Sequence, residues 1–435
     1  MKNLSFLFAV HNHQPVGNFD DVFERAFADC YRPFLRTVAD YPLFKFALHF
    51  SGPLWDRLKE KERDSWDLIE RMTDRGQLEL LGGGYYEPIL AVIPERDRAG
   101  QVARLSDFLE AHFGRRPRGV WMAERVWEPH LAATLARQGI DYTLLDEEHF
   151  RMAGIDNIHA HYITEDEGLA LRLFPIDKTL RYLIPFRPLE EVRAALEGIA
   201  AGGGTAILGD DGEKFGLWPG TKSWVYEEGW LRRFLEFVEK EGIRTRTFSD
   251  YLDETAPAGR VYLPPASYEE MMEWALEPAA AATFKALKDG SPSAARRFLR
   301  GGFFREFFLK YPEADRLHKR MLGVSAEVAR HPEADEARTE LYKSQCNDPY
   351  WHGVFGGLYL PHLRGAAYRH LIAAEARLPM GRGWQTRDID LDGRNELVWR
   401  GPLFQVALDP DRGGSLTECD FLPEARNLSD VLSRR

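Results

Sequence analysis

The chain has 435 residues, of which 44% are hydrophobic and 12% aromatic, so it can bury a large core and has the length of two or three domains. Its net charge of -11 argues against nucleic acid as a partner, because binding to phosphates requires a basic surface. Cys30, Cys346 and Cys419 form no CxxC motif, which argues against a disulfide framework or a zinc knuckle and favours the reducing cytoplasm.

Up to residue 262, short apolar runs alternate with longer amphipathic stretches. The predicted strands are 4–10, 44–50, 78–81, 119–122, 142–145, 171–175 and 205–208. The predicted helices between them include 20–39, 54–75, 96–113 and 130–138. Alternating βα units predict a parallel sheet, and about seven of them favour an α/β barrel. No run approaches the roughly 20 apolar residues of a membrane span, so no membrane partner is expected.

From 263 to 380 the sequence changes to amphipathic helical segments joined by turns, which is typical of a helical bundle. From 384 to 435 it changes again to short β-like segments, including 396–400 and 403–408. These predict a β-rich region that only begins here, because about 50 residues are few for an independent sheet domain. Three domains are therefore expected, with boundaries near 262 and between 380 and 384.

Glu124 lies in the run WMAERVWEP (residues 121–129), directly after a predicted apolar strand. Core packing does not explain this carboxylate, because burying an unpaired charge is costly. Sugar chemistry does explain it. A pyranose has apolar C–H faces that stack on indole rings such as that of Trp121, and its anomeric carbon can be attacked by a carboxylate.

A second acidic group lies in LGDDGEKFGLWPG (208–220), where Asp210, Asp211, Glu213 and Trp218 follow a predicted buried strand. Neighbouring carboxylates repel one another and burial adds to the effect, so a raised pKa is expected in this group. A raised pKa suits a general acid. The alternative is a simple turn, since DDG is a good turn sequence. The presence of Glu124 at another strand end favours catalysis.

The remaining polar clusters also follow predicted strands, where loops of an α/β barrel carry function. HNHQP (11–15) places His11 and His13 on one face of an extended segment. Metal binding, hydrogen bonding to sugar hydroxyls and a simple strand end all fit this pattern. Sugar binding is favoured, because no third ligand has an obvious metal-site spacing. GQLELLGGGYYEP (76–88) brings Glu79 and a glycine run out of another strand.

The last cluster, QCNDPYWHG (345–353), lies beyond the barrel and contains Asp348 and Trp351. Their spacing allows one helical face that would form the wall of a sugar subsite. Helix packing is the alternative, because aromatic residues and glycine often mark it.

Together, these five segments resemble the five conserved regions of glycoside hydrolase family 57, in the same order and over about 340 residues. The resemblance is to its α-amylase and 4-α-glucanotransferase branch. It implies an incomplete (β/α)7 barrel, a retaining mechanism on α-glucans and no obligatory metal or other cofactor. Unlike members similar to the glucanotransferases, the sequence stops soon after its β-rich region begins.

Position by position, the resemblance implies that Glu124 is the nucleophile and Asp211 the general acid/base. Asp210 is the weaker candidate, because neighbouring residues of an extended segment point to opposite sides. The resemblance also implies that the histidines of HNHQP, Glu79, Glu213 and Asp348 line the substrate site. The tryptophans of the motifs are added to this set because indole rings can stack on sugars. The expected substrate-binding set is His11, His13, Glu79, Trp121, Glu213, Trp218, Asp348 and Trp351.

The expected function is that of a retaining 4-α-glucanotransferase on α-1,4-glucans, with an α-amylase as the alternative. A metal-dependent hydrolase or deacetylase with His11 and His13 as ligands is a third possibility, and a non-catalytic glucan-binding protein is a fourth. Both acids are present, which argues against the fourth. The expected partner is an α-glucan or maltooligosaccharide, and the sequence does not indicate an oligomeric state.

Overall fold

The structure is a computed structural model that describes residues 1–434. The chain divides into two compact units. The first, called the barrel unit, contains residues 1–14, 19–85 and 99–268. The second unit contains residues 15–18, 86–98 and 269–435. Two short segments from early in the chain, 15–18 and 86–98, thus belong to the second unit, whereas the domains predicted from the sequence are consecutive ranges.

The barrel unit alternates strands and helices as the sequence predicted. Its strands are β1 (Ser5–Asn12), β2 (Phe46–Phe50), β3 (Leu78–Leu80), β4 (Gly119–Val120), β5 (Tyr142–Asp146), β6 (Tyr162–Asp166), β7 (Leu169–Ile176), β8 (Thr205–Asp211) and β9 (Arg244–Arg246). Its helices are α1 (Asp20–Ala26), α2 (Arg32–Ala39), α3 (Gly52–Lys61), α4 (Arg63–Asp74), α5 (Glu95–Phe113, which begins in the second unit), α6 (Leu131–Arg137), α7 (Glu147–Met152), α8 (Lys178–Leu183), α9 (Leu189–Ala201), α10 (Trp230–Lys240) and α11 (Phe248–Glu254).

Seven parallel strands form the wall of the barrel in two arcs. One arc has the order β3-β2-β1-β8 and the other joins β4, β5 and β7. A bridge between Gly82 and Val120 connects β3 to β4. On the other side, Asp177 N–H donates to the carbonyl of Ile207, which is the backbone link between the ends of the arcs. The fold is therefore the incomplete (β/α)7 barrel expected from the sequence.

All seven strands predicted for the barrel unit are confirmed, and two strands of that unit were missed. β6 pairs antiparallel with β7 at the edge of its arc, and β9 pairs with the first residues of β1. Each has a polar sequence, YITED and RTR, that lacks an apolar run. The predicted helix 54–75 is two helices that meet at Glu62. The predicted helix 20–39 contains a π-helical segment, Phe27–Tyr31, between α1 and α2.

Apolar side chains fill the barrel. The strand register determines the layer along the barrel axis in which each side chain lies. The interior cluster includes Leu7, Ala9, Ala47, Leu144 and Phe174. In the same register His11 of β1 lies beside His49 of β2 and Asp211 of β8. Because residues two apart on a strand share a face, these polar residues form the next layer above Ala9 and Ala47. The carboxyl ends of the strands therefore carry the polar layer.

The second unit is helical and then β-rich. Its later helices are α12 (Glu269–Trp274), α13 (Pro278–Gly290), α14 (Ser293–Arg296), α15 (Glu306–Lys310), α16 (Pro312–Ala329), α17 (Asp335–Ser344) and α18 (Pro361–Ala376). Its strands are β10 (Gly383–Arg387), β11 (Glu396–Arg400), β12 (Phe404–Asp409), β13 (Ser415–Phe421) and β14 (Arg426–Asn427), which form one antiparallel sheet in that order. Among the helices of residues 1–434, none is long and apolar enough to cross a membrane.

A buried ion network joins the helices of the second unit to its sheet. Arg320 of α16 donates twice to Glu375 of α18 and, at 2.8 Å, to Glu418 of β13. Arg400 of β11 adds a 3.0 Å bond to Glu375. Burial opposes ionisation of Glu375, but the two arginines outweigh it and lower its pKa to about 2. The sheet is thus attached through paired charges.

We expect Arg320→Met to lower the free energy of unfolding by roughly 3–5 kcal/mol, because it leaves buried carboxylates without their cation. Chemical denaturation at pH 7 measures this loss. A pKa lowered in the folded state contributes stability above the unfolded pKa, and that stability is lost as the pH falls toward 2. The difference from the wild type should therefore shrink below about pH 4.5. Arg377→Met, which breaks the exposed pair with Glu336 and an exposed bond to the Ala373 carbonyl, should change stability little.

Candidate active site

Two histidines from neighbouring strands share a hydrogen bond at the mouth of the barrel. The Nδ1 atoms of His11 and His49 are 2.8 Å apart. The His11 ring also stacks on Trp121, with centroids 4.8 Å apart. Burial lowers the pKa of His11 well below its ordinary value and that of His49 to about 3. Both rings are therefore neutral at physiological pH.

Glu124 lies on a strained turn just beyond β4. Its φ is 52° and that of Arg125 is 47°, so two consecutive non-glycine residues adopt the left-handed conformation. Such strain persists only where neighbouring groups hold the backbone. Here Ser267 Oγ donates to the Glu124 carbonyl at 2.6 Å. The Tyr268 hydroxyl hydrogen-bonds the Glu124 carboxylate, so the segment before α12 holds both the backbone and the side chain of Glu124.

The guanidinium of Arg125 joins this turn to the other strand ends. Arg125 is 3% exposed, and its Nε donates to Asp146 Oδ2 at 3.0 Å. Its Nη1 lies 3.6 Å from Asp211 Oδ1, and it also interacts electrostatically with Glu124. The guanidinium carbon lies 4.6 Å from the centre of the Tyr268 ring. Glu124 and Asp211 therefore both approach the same buried cation.

The two neighbouring aspartates at the end of β8 have different surroundings. Asp210 accepts from Lys214 Nζ at 2.6 Å and from Arg181 Nε at 3.2 Å. Burial would raise the pKa of Asp210, but these cations outweigh burial and lower it. The Asp211 side chain is 31% exposed beside Arg125. The predicted alternation is confirmed, whereas the raised pKa expected for this group is wrong for Asp210.

Glu213 is the member of this group whose pKa is raised. Its Oε1 accepts from the Tyr31 hydroxyl at 2.5 Å and from the His13 backbone N–H at 3.0 Å. Burial and then the charge of Asp211 raise its pKa to about 7. The His13 ring in turn lies 3.0 Å from Ser51 Oγ through Nδ1. Glu213 and His13 thus lie together beside Asp211, and substrate binding by them stays a prediction.

Glu79 lies one layer deeper in the barrel than the histidines. Its backbone pairs with Ala47, two residues before His49 on β2. The carboxylate accepts from the Tyr142 hydroxyl at 2.7 Å and from Ser249, whose backbone N–H also donates at 3.1 Å. The structure therefore places Glu79 half-buried in the barrel wall, one layer below the polar residues at the mouth, and substrate binding by it stays a prediction.

Trp121 is buried beside the strand ends. It is 1% exposed and belongs to the interior cluster of the barrel. One face of the indole packs on His11, and the Arg125 guanidinium lies 5.5 Å from its centre. The ring is thus packed into the barrel, and substrate binding by Trp121 stays a prediction. Its position supports His11 and Arg125.

The other predicted aromatic and acidic residues differ in their placement. Trp218 of the barrel unit is half-buried, with its ring 5.8 Å from Phe186 and 5.5 Å from Lys214 Nζ. Asp348 and Trp351 belong to the second unit, where Trp351 Nε1 donates to Asn347 at 2.7 Å. They lie on a short 3-10 turn and the extended residue after it, not on a helical face. Substrate binding by these three residues stays a prediction.

Several residues of the site were not singled out from the sequence. Arg125 stands next to Glu124 in its motif, and Asp146 directly follows the predicted strand 142–145, so their positions in the sequence offered a signal for both. Ser267 and Tyr268 are more than 140 positions from Glu124, and no local pattern indicates them. Tyr31 lies in a segment predicted only as amphipathic helix.

Among residues 1–434, few groups of side-chain atoms that could bind a metal ion lie close together within one unit. His11 and His49 provide two imidazole nitrogens, half of a typical zinc set. In the second unit, Asp388, Asp390 and Glu396 each offer an oxygen within 4.8 Å of the others. Oxygen ligands of this kind suit a hard cation such as Ca²⁺. Neither group contains the proposed pair of acids.

The chain matches three family profiles along its length. Glycosyl hydrolase family 57 matches residues 7–264. The middle domain of alpha-amylase/4-alpha-glucanotransferase matches residues 302–378, and the C-terminal domain of the same group matches residues 388–435. The matches thus include the barrel strands, most of the helical segment and most of the C-terminal sheet.

Named relatives are similar over the whole chain. A 4-alpha-glucanotransferase of Thermococcus kodakarensis is 45% identical over 445 residues, covering 100% of this chain and 67% of the relative. An alpha-amylase of Pyrococcus furiosus is 45% identical, covering 99% of this chain and 67% of the relative. The crystal structure of the 4-alpha-glucanotransferase of Thermococcus litoralis superposes with a TM-score of 0.95 at 44% identity, covering 100% of this chain and 69% of that one. The chain thus spans about two thirds of their length.

The barrel and these matches define a glycoside hydrolase or transferase, an enzyme of glycosidic-bond chemistry. The chain belongs to glycosyl hydrolase family 57, within its α-amylase and 4-α-glucanotransferase branch. The resemblance seen in the five sequence motifs is therefore confirmed.

We expect Glu213 to hold its proton in the folded protein up to about pH 7, so Glu213→Gln should remove one group that titrates near neutrality. A pKa raised in the folded state stabilises the fold below the unfolded pKa and loses that effect as the pH rises through 7. The stability of the wild type relative to Glu213→Gln should therefore fall between about pH 4.5 and 7. Denaturant unfolding across this range measures it. A difference that does not vary with pH would contradict the assignment.

Proposed function

We propose that the chain acts as a retaining 4-α-glucanotransferase on α-1,4-glucans, with Glu124 as nucleophile and Asp211 as general acid/base. The main support is the convergence of both acids on the buried guanidinium of Arg125 at the mouth of the barrel. The full-length similarity to named 4-alpha-glucanotransferases supports the choice of substrate and reaction.

In the first step Asp211 donates its proton to the glycosidic oxygen while a Glu124 carboxylate oxygen attacks the anomeric carbon. The bond to the leaving sugar breaks, and the leaving sugar takes the proton as its new 4-hydroxyl. The glucan is then held as an ester on Glu124. Arg125 interacts with both acids, so its positive charge balances the Glu124 carboxylate before the attack and the Asp211 carboxylate after the proton transfer.

In the second step the 4-hydroxyl of an acceptor glucan attacks the same carbon and gives its proton to Asp211. Glu124 leaves as a carboxylate, and a new α-1,4 bond forms with the original configuration. Below about pH 7 the neutral Glu213 adds no negative charge beside Asp211. His11, His13 and Glu213 are proposed to hold sugar hydroxyls, since imidazole and carboxyl groups offer both hydrogen-bond donors and acceptors.

The second candidate is an α-amylase, in which water replaces the acceptor sugar. The observation in its favour is that relatives of equal similarity, from Pyrococcus furiosus and Pyrococcus abyssi, are named alpha-amylase. The two activities share every step up to the ester on Glu124. We propose an α-glucan as the physiological partner and the cytoplasm as the location, which the three unbridged cysteines support.

We expect purified protein to convert maltotetraose into a ladder of longer and shorter maltooligosaccharides, with or without EDTA. Chromatography of the products over time measures the ladder. Products that are all shorter than maltotetraose would identify an amylase. Activity that EDTA abolishes and zinc restores would overturn the proposal in favour of a metal-dependent hydrolase.

In the same assay, Glu124→Ala and Asp211→Asn should each lower turnover by several orders of magnitude, with circular dichroism spectra like that of the wild type. Glu228→Gln is the matched control, because Glu228 is an exposed acid of the barrel unit whose backbone carbonyl accepts from Arg233. Near-normal turnover in either acid variant would contradict the assignment of the pair.

A further inference from the structure

Tyr268 occupies a place beside the nucleophile that the mechanism above does not use. It is 8% exposed and follows the last helix of the barrel unit, far in sequence from Glu124. Its hydroxyl hydrogen-bonds the Glu124 carboxylate, and its charge interactions extend to Asp211. The hydroxyl thus contacts the carboxylate that would form and break the bond to the sugar.

Three contacts fix Tyr268 in this position. The Arg125 guanidinium packs over its ring, 4.6 Å from the centre. The preceding residue, Ser267, bonds the Glu124 carbonyl at 2.6 Å. One residue earlier, Ala266 pairs with Trp127 in an antiparallel bridge, with N–H···O distances of 2.9 and 3.1 Å. Segment 266–268 is therefore attached to both sides of the Glu124 turn.

The hydroxyl remains a donor throughout the working pH range. Burial, followed by the charge of Glu124, raises the pKa of Tyr268 well above its ordinary value. A phenol that keeps its proton can only donate to an ionised carboxylate. A hydrogen bond to a charged group is also stronger than one between neutral groups.

We propose that Tyr268 is a catalytic residue that acts mainly on the second half of the reaction, the release of the sugar from Glu124. This inference rests on the proposed function. Glu124 is an anion before the ester forms and again after it breaks, but not while the sugar is attached. A donor at this carboxylate therefore stabilises the free carboxylate more than the ester, and only such differential stabilisation changes a rate.

Loss of the Tyr268 hydroxyl affects the two steps differently, because the charge on Glu124 changes in opposite directions in them. In the first step the carboxylate gives an electron pair to the anomeric carbon, so the Tyr268 bond weakens as the ester forms. In the second step the acceptor oxygen attacks the carbon, its proton moves to Asp211, and the pair returns to Glu124. The developing negative charge is then stabilised by the Tyr268 hydroxyl. Removing the hydroxyl slows release and does not slow attachment.

The test uses the full chain and maltosyl fluoride, from which Glu124 displaces fluoride without needing a proton from Asp211. Fluoride release in the first turnover measures attachment. The lifetime of the maltosyl adduct, followed by intact-protein mass after addition of maltotriose, measures release. In Tyr268→Phe we expect the adduct to survive about 10- to 100-fold longer than in the wild type, while the first-turnover fluoride release is not slowed.

Tyr262→Phe is the matched control, because Tyr262 lies on the same stretch of chain but is 60% exposed and bonds Glu165. Its adduct should decay as in the wild type. Should Tyr268→Phe fail to fold, 3-fluorotyrosine at position 268 replaces it. This analogue keeps the ring and makes the hydroxyl a stronger donor, so adduct decay should become faster.

Equal slowing of both steps in Tyr268→Phe would show a structural role and overturn the inference, as would an unchanged adduct lifetime. Failure of the proposed function has a different signature. In that case the wild type itself would form no maltosyl adduct on the peptide that contains Glu124, and the inference would fall with it.

Discussion

The site depends on one buried cation. Arg125 is taken out of water, and its charge is balanced by Asp146 at 3.0 Å and by the nearby Glu124 and Asp211. Removing it would leave several carboxylates at the mouth of the barrel without compensation, which is more costly than losing an exposed ion pair. Arg181 extends the network, since it bonds both Asp146 and Asp210. The acids of three different strand ends are thereby held by two guanidiniums.

The same arrangement explains why the turn that carries Glu124 tolerates strain. Two consecutive left-handed residues are unfavourable, and bonds from Ser267 and Tyr268 compensate for them. The strained turn places Arg125 toward Asp146 and Asp211, and Glu124 toward Tyr268. Backbone strain, the ion network and the proposed chemistry are therefore consequences of one local structure.

The barrel was predictable from the sequence to a large extent, because alternating apolar runs and amphipathic stretches report on burial in parallel strands. The polar strands β6 and β9 carry no such signal, since β6 pairs antiparallel at the edge of its arc and β9 is only three residues long. At the site, strand-end acids such as Glu124 and Asp211 stand out locally. The positions of Glu79 and Trp121 were harder to predict, because the depth of a side chain in the barrel depends on the strand register, which the sequence does not show. Tyr268 required the tertiary fold, since its contact with Glu124 spans more than 140 residues.

The central claim is that Glu124 and Asp211 act as a retaining pair, and the anomeric configuration of the first product tests it most directly. Proton NMR of the first products from maltotetraose distinguishes α from β linkages at the newly formed glycosidic bond and, where water is the acceptor, the anomer of the released sugar before mutarotation. Retention by Glu124 and Asp211 predicts that new linkages are α and that a hydrolysis product appears first as the α anomer and equilibrates later. A β product at the earliest times would show inversion and would contradict the assignment of Glu124 as the nucleophile.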